Sequence, residues 1–347
     1  MMIKMIKDFS NAFGVSGHED EVVEVARHYL SDFTLREDKM RNLFINESTN
    51  IDVLLDAHSD EVGFIIQAIL DNGMMRFLPV GGWDVKNVIG SQVTILNLNN
   101  EKINGIVASK PPHFMSEAER NGALSFNQLV IDVGACSYDE VVNDFHIGVG
   151  CFVTPSTKCE YNEHSKVFSG KAFDCRIGCA AVVETMKRLN NPKLNVSGIL
   201  SAQEEVGERG MICAMNQIKP KVMIAFEGCP ADDSFESGRM IQSGLKRGVM
   251  LRHFDRSMIT SPRFMRFALD VAKKHGIQVQ EAVRAGGGTN GGVVHNAHSG
   301  IPSVILGIPT RYAHSGIGYC SLNDFESAVS LALAIIEELN YDIIDNF

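Results

Sequence analysis

No stretch of this 347-residue sequence is long and apolar enough to span a bilayer. Its first nine residues are broken by Lys4, Lys7 and Asp8 and lack the uninterrupted apolar core of a signal peptide. Positive charge is in the minority: 32 Lys and Arg face 42 Asp and Glu, a net charge of −10. That balance argues against nucleic acid and anionic membranes as partners. Eight cysteines are scattered, and only Cys175 and Cys179 lie close together. With no second pair to complete a zinc knuckle, all eight read as reduced, mostly packing residues of a cytoplasmic protein. The glycine run at 286–292 has no Gly-Lys-Ser/Thr after it, so it is not a phosphate loop. Internal repeats and low-complexity linkers are also missing.

What is present is an interrupted α/β pattern, in a chain long enough for a large core and two domains. Residues 3–33 read as helical, with 14–19 as a turn whose Ser16 is the capping serine of the second part. An apolar run, 51–57, ends in His58, and Asp60 follows two residues later. Between 64 and 160 short strands alternate with Gly/Asn/Pro turns, at 64–69, 75–80, 92–96, 103–108 and 129–133. This stretch reads as a small β-rich domain inserted into an α/β domain made of 1–63 and 161–347. After it, Asp174 stands near the start of a helix. The buried strand 196–200 leads to Glu204-Glu205, with Gly207 making a break in the strand easy. A second buried strand, 221–226, runs into Glu227. A helix at 263–276, a strand at 302–309 whose exit loop carries His314, and a closing helix at 322–340 complete the chain.

Taken singly, these polar residues have ordinary explanations: a solvated turn, a core histidine satisfied by one carboxylate, a helix-start charge. Taken together, they bring two imidazoles and four carboxylates to one edge of a single sheet, where open α/β folds bind ligands. A mixed nitrogen and oxygen set suits zinc or another borderline divalent metal better than calcium. Asp60 is the carboxylate that a metal-bound imidazole takes on its other nitrogen. Two divalent ions are balanced by Asp174, Glu205, Glu227 and one bridging hydroxide, which leaves Glu204 to accept a proton. A glycoside hydrolase using Glu204 with Glu227 or Asp174 is a rival reading, but it gives His58 and His314 nothing to do.

The motifs His58-Ser59-Asp60-Glu61-Val62-Gly63, Asp174-Cys175-Arg176, Glu204-Glu205-Val206-Gly207, Glu227 and Arg311-Tyr312-Ala313-His314-Ser315 stand in the order and spacing of a known family. Val80-Gly81-Gly82-Trp83 and Lys110-Pro111-Pro112-His113 add to the match. The chain thereby resembles the tetrahedral aminopeptidases of metallopeptidase family forty-two over nearly its whole length. The resemblance implies a zinc-peptidase-like mixed sheet flanked by helices, interrupted by a β-rich dimerisation domain. It implies two divalent metal ions per subunit, zinc first, with cobalt or manganese as alternatives. Asp174 would bridge them, His58 and Glu227 would hold one, and Glu205 and His314 the other. Asp60 would orient His58, Glu204 would be the general base, and a cis peptide would follow Asp174. The implied activity is removal of N-terminal residues from peptides, by dimers assembled into a dodecamer. Three departures stand out: Ser59 replaces a usual methionine, Glu227 an aspartate, and Asn290 the aspartate of Gly-Thr-Asp. Glu227 is expected to alter metal spacing or affinity. Asn290, with Thr289, is expected by the substrate cleft, and His113 to reach a neighbouring subunit's cleft or simply to end a turn. Lys246, Arg247 and Arg252 read either as a solvated basic loop or as readers of an acidic substrate side chain, and Trp83 as a packing anchor. A hydrolase of another amide and an inactive assembly protein of the same fold are the remaining alternatives.

Overall fold

The runs that read as buried strands pair side by side in a computed structural model that describes residues 1–190 and 192–347. Val53–His58 lies between Val196–Ser201 and Val222–Pro230 and is parallel to both. Val222–Pro230 is in turn parallel to Ser303–Arg311. Every residue of Val53–His58 is buried, as an almost unbroken apolar run requires of a strand covered on both faces. These four strands are the centre of an eleven-stranded mixed sheet. Leu35–Glu37 and Leu43–Ile45 extend one side, and Gly318–Ser321, Val167–Gly170 and Glu160–Asn162 the other. Val249–Phe254 joins antiparallel to Ser303–Arg311 and carries Val279–Val283 in parallel.

Helices cover both faces, which gives the expected α/β class. Met5, Val22, Ile177, Phe264 and Phe325, from five helices, share one core cluster with the sheet. Met211 and Val294, from the short helices Arg209–Met215 and Asn290–Val294, pack on the opposite face. Gly63–Ile69, Met75–Val80, Leu129–Asp132, Lys102–Ser109, Gln92–Leu96 and Phe152–Pro155 close a separate barrel with its own core. Trp83 is an anchor there: its ring stacks on Phe64, and Nε1 donates to the Gly63 carbonyl at 3.1 Å.

Two local readings change, and a third holds. The helical region divides into Met2–Asn11 and Asp20–Tyr29, and the turn between them gives Ser16 no capping role: Glu19 occupies the N-cap, without a side-chain cap. Val222–Pro230 runs three residues past Glu227, so this carboxylate stands inside a strand and not at its end. Phe173–Arg188 is non-helical at Asp174 and Cys175, and the peptide between them is cis, as the resemblance implied.

Candidate metal centre

Strand register assembles the centre. Ser201 pairs with His58, so Glu204 and Glu205 leave their strand beside the end of the His58 strand. Asp56 pairs with Ala225, and two residues further on each strand come His58 and Glu227. Asp174 approaches from the distorted helix start. Gly228 makes that approach possible: a Cβ there would overlap the Phe173 carbonyl oxygen and lie 2.7 Å from Asp174 Cα. Arg176, fully buried, ties this helix to the His58 strand. It donates to the Ser59, Phe9, Ala12 and Gly14 carbonyls and to Glu61.

Asp174 faces two donor groups with its two oxygens. Oδ1 is 3.1 Å from His58 Nε2, which is 3.3 Å from Glu227 Oε1. Oδ2 is 3.3 Å from His314 Nε2, which is 3.3 Å from Glu205 Oε1. Two ligands about 2.0–2.1 Å from one tetrahedral ion lie about 3.3–3.4 Å apart, so both groups have the spacing of donors to a shared cation. Cys175 Sγ also lies near the His58 group but donates to the Phe226 carbonyl at 3.3 Å. Glu205 Oε1 is buried without a hydrogen-bond partner. His314 Nδ1 lies 2.7 Å from the Gly82 carbonyl. A carbonyl only accepts, so Nδ1 carries a hydrogen, and Nε2 is the ring atom that faces Asp174 and Glu205 and would ligate a cation on giving up its own proton. The barrel segment around Gly82 thus fixes the tautomer of a residue in the main sheet's exit loop.

Electrostatics tell the same story. Burial raises the Glu227 carboxyl to about 7. Burial also pushes Glu204 well above its ordinary value; His58 opposes this, and repulsion from Glu227 and Glu205 adds to it. Burial would lower both imidazoles, yet the surrounding anions lift His58 well up and His314 to about 11. Asp174, which burial would raise, is held far down by His314 and His58. The cluster carries more negative charge than its own imidazoles balance, and its donor set fits divalent cations.

Asp60 is fully buried behind the cluster. It accepts the Glu204 and Glu205 backbone N–H groups at 2.9 and 3.1 Å. His58 Nδ1 faces its Oδ1 at 3.3 Å, without the alignment of a hydrogen bond. In front of the cluster lies a cavity of about 430 Å³ lined by Glu204, Glu205, Glu208, Arg252, Arg284 and the glycines at 286–288.

The M42 glutamyl aminopeptidase family model matches residues 42–331. The glutamyl aminopeptidase of Lactococcus lactis subsp. cremoris (strain MG1363) is 31% identical over 311 residues, 87% of this chain and 86% of that one. The chain belongs to the M42 glutamyl aminopeptidase family. Among solved structures, the TET aminopeptidase from the marine sediment archaeon Thaumarchaeota archaeon SCGC AB-539-E09 superposes with a TM-score of 0.94 at 32% identity, covering 99% of both chains. The Pyrococcus horikoshii TET1 peptidase, which can assemble into a tetrahedron or a large octahedral shell, gives 0.87 at 28% identity over 98% of this chain and 100% of that one.

Against this M42 frame, the remaining sequence candidates separate. Arg252 belongs to the strand Val249–Phe254, not to a solvated loop, and only 4% of it is exposed. Its Nη1 donates to Asp255 at 3.0 Å, and its Nε is buried without a partner. Asn290 and Thr289 are buried, away from the cavity wall. Asn290 Nδ2 donates to Asp56 Oδ2 and Ser201 Oγ, and Thr289 Oγ1 caps Gly291. The place by the cleft is taken by the glycines that precede them. His113 lies on an exposed 3-10 turn of the barrel. Ser59, at the usual methionine position, is buried and donates to the Ser201 carbonyl at 3.0 Å. Arg284 and Glu208 escaped the sequence reading. Arg284 had one available signal, a basic residue two positions before the glycine run.

Proposed function

We propose that this M42 peptidase is a dinuclear metal-dependent aminopeptidase that removes acidic N-terminal residues from peptides. The observation that carries the reading is the pair of Asp174 oxygens, each 3.1–3.3 Å from an imidazole of a different donor group. His58, Asp174 and Glu227 would hold one ion; Asp174, Glu205 and His314 the other. The donor set favours zinc, with cobalt or manganese as alternatives. When bound, such ions supply Lewis-acid charge and lower the pKa of water to about 7.

The chain's own residues do the rest. Glu204 takes the proton of the attacking water and returns it to the leaving amine, a role suited to a carboxyl whose proton affinity is raised by burial. Asp60 holds the Glu204 backbone and faces the His58 ring. Arg252, with an unpartnered Nε at the cavity wall, and Arg284 offer guanidinium groups to a substrate carboxylate. Each is partly balanced by an aspartate, Asp255 for Arg252 and Asp232 for Arg284, so a preference is expected and not an absolute requirement.

Self-association through the barrel, as dimers that build a dodecamer, is part of the same reading. It is supported by the shells of the Pyrococcus horikoshii TET1 peptidase and by exposed apolar side chains on the barrel, among them Leu98, Phe114 and Val149.

The test is hydrolysis of a panel of aminoacyl-anilides by chelated protein, with zinc, cobalt or manganese added back. Activity is expected to return with metal and to be highest on glutamyl and aspartyl substrates. In Arg252→Met the acidic preference is expected to fall about tenfold or more, since a hydrogen bond to a charged group is worth about 1.5–3 kcal/mol. Silence with every metal, or a flat panel, refutes the corresponding part of the reading.

A further inference from the structure

Ser16 has a use that its place before a helix conceals. Its hydroxyl is buried and donates to Asp60 Oδ2 at 2.6 Å, across 44 residues of sequence. Asp60 also meets both halves of the metal centre. Its Oδ1 accepts from Glu204 N and faces His58 Nδ1, and its Oδ2 accepts from Glu205 N. The two backbone donors come from adjacent residues and hold only one edge of the carboxylate. Ser16 supplies a second hold on Oδ2. Without it, the carboxylate is free to tilt about the Glu204–Glu205 edge, and Oδ1 is no longer held at 3.3 Å from His58 Nδ1.

The turn itself does not depend on that hydroxyl. Val15 forms a β-bridge with Glu61, and the Glu61 N–H donates to the Gly14 carbonyl at 2.9 Å. Glu19 Oε1 accepts from Gly17 N at 2.8 Å and from Gln203 N at 3.2 Å. The loop is therefore braced against both the His58 strand and the Glu204 turn by groups other than Ser16 Oγ.

We infer that Ser16 is a positioning residue that acts through Asp60 on both halves of the metal centre. The inference rests on the ligand assignment proposed above. Losing the partner of a ligating imidazole costs 10–100-fold in metal affinity, and Ser16 stands one contact further out, so a loss of about tenfold is expected.

The experiment measures zinc affinity by competition with a chelator, and the visible spectrum of the cobalt-loaded protein. Wild type, Ser16→Ala and Ser16→Thr are compared, and Ser16→Ala is repeated in an Asp60→Asn background. Ser16→Ala is expected to bind zinc about tenfold more weakly and to shift the cobalt bands. Ser16→Thr, which keeps the hydroxyl, is expected to restore both. In Asp60→Asn the Ser16 change is expected to add nothing. Unchanged affinity and spectrum in Ser16→Ala overturn the inference, even if the variant melts lower. An undiminished loss in the Asp60→Asn background also overturns it, because the effect then runs through the folding of the loop. A wild type that binds no metal refutes the ligand assignment itself, and this inference with it.

Discussion

Replacing Glu204 by glutamine isolates proton transfer from everything else in the centre. The amide matches the carboxylate in size, and the backbone N–H at 204 keeps its 2.9 Å hydrogen bond to Asp60. His58 Nε2 lies 3.9 Å from Glu204 Oε2, too far for a hydrogen bond that the change would break. The remaining donors, His58, Asp174, Glu205, Glu227 and His314, are untouched, so metal content should hold. What disappears is a group that accepts a proton. General acid–base catalysis contributes about 10²–10⁴-fold, so kcat should fall by that factor, about 2.7–5.4 kcal/mol of barrier. KM for a glutamyl-anilide should stay near that of wild type, because Arg252 and Arg284 are intact. Burial holds the folded Glu204 pKa well above its unfolded value, which is a stability penalty at neutral pH. The chelated variant should therefore melt no lower than chelated wild type. Steady-state kinetics, metal analysis and thermal melts on one preparation decide the matter. A kcat within about threefold of wild type, with metal bound, refutes the assignment of the base. A parallel loss of metal would make Glu204 a ligand instead.

Gly228→Ala is expected to displace Asp174 and with it both donor groups, since the new methyl overlaps the Phe173 carbonyl. Zinc content should collapse while far-UV circular dichroism persists, and wild-type zinc content would contradict the packing argument. Asp324 gives a pH signature remote from the centre. Burial holds its carboxyl up at about 6, against hydrogen bonds from the Lys246 and Gly248 N–H groups. A folded pKa above the unfolded value of about 3.8 means that its contribution is complete below about 4 and is lost as pH rises through about 6. Wild type should therefore lose about 2–3 kcal/mol relative to Asp324→Asn between pH 4 and 7.5 in urea unfolding. A difference that does not change with pH would show that Asp324 is not so perturbed.

The residues of the candidate metal centre were readable in the sequence because most of them break a buried apolar run. A charged residue after 51–57 or 196–200 has no reason to stand there unless something opposite in charge or polar meets it. Glu227 was readable for the same reason, although its exact place was not. Both faces of Val222–Pro230 are covered, so neither alternation nor polarity marks where the strand ends. Strands such as Leu35–Glu37 and Gly318–Ser321, three and four residues long, are too short to carry a period.

The walls of the site were hidden for a different reason, because they depend on depth and not on pattern. Arg252 looks like one more basic residue after Lys246 and Arg247 until the pairing of Val249–Phe254 with Ser303–Arg311 buries it beside the cavity. Asn290 follows a glycine run that lines the cavity, yet its amide turns inward to Asp56, 234 residues away in sequence. Ser16 has the local signature of a helix cap, and local signatures are what a sequence displays. Its actual partner is Asp60, and the bridge between Val15 and Glu61 is one of the contacts that bring the two within reach. Such contacts are set by how strands stack in register, so the groups around the candidate centre are less legible than the groups that compose it. In this chain the boundary falls at Asp60: its spacing from His58 can be read from sequence, while the hydroxyl that donates to it has to be found in the fold.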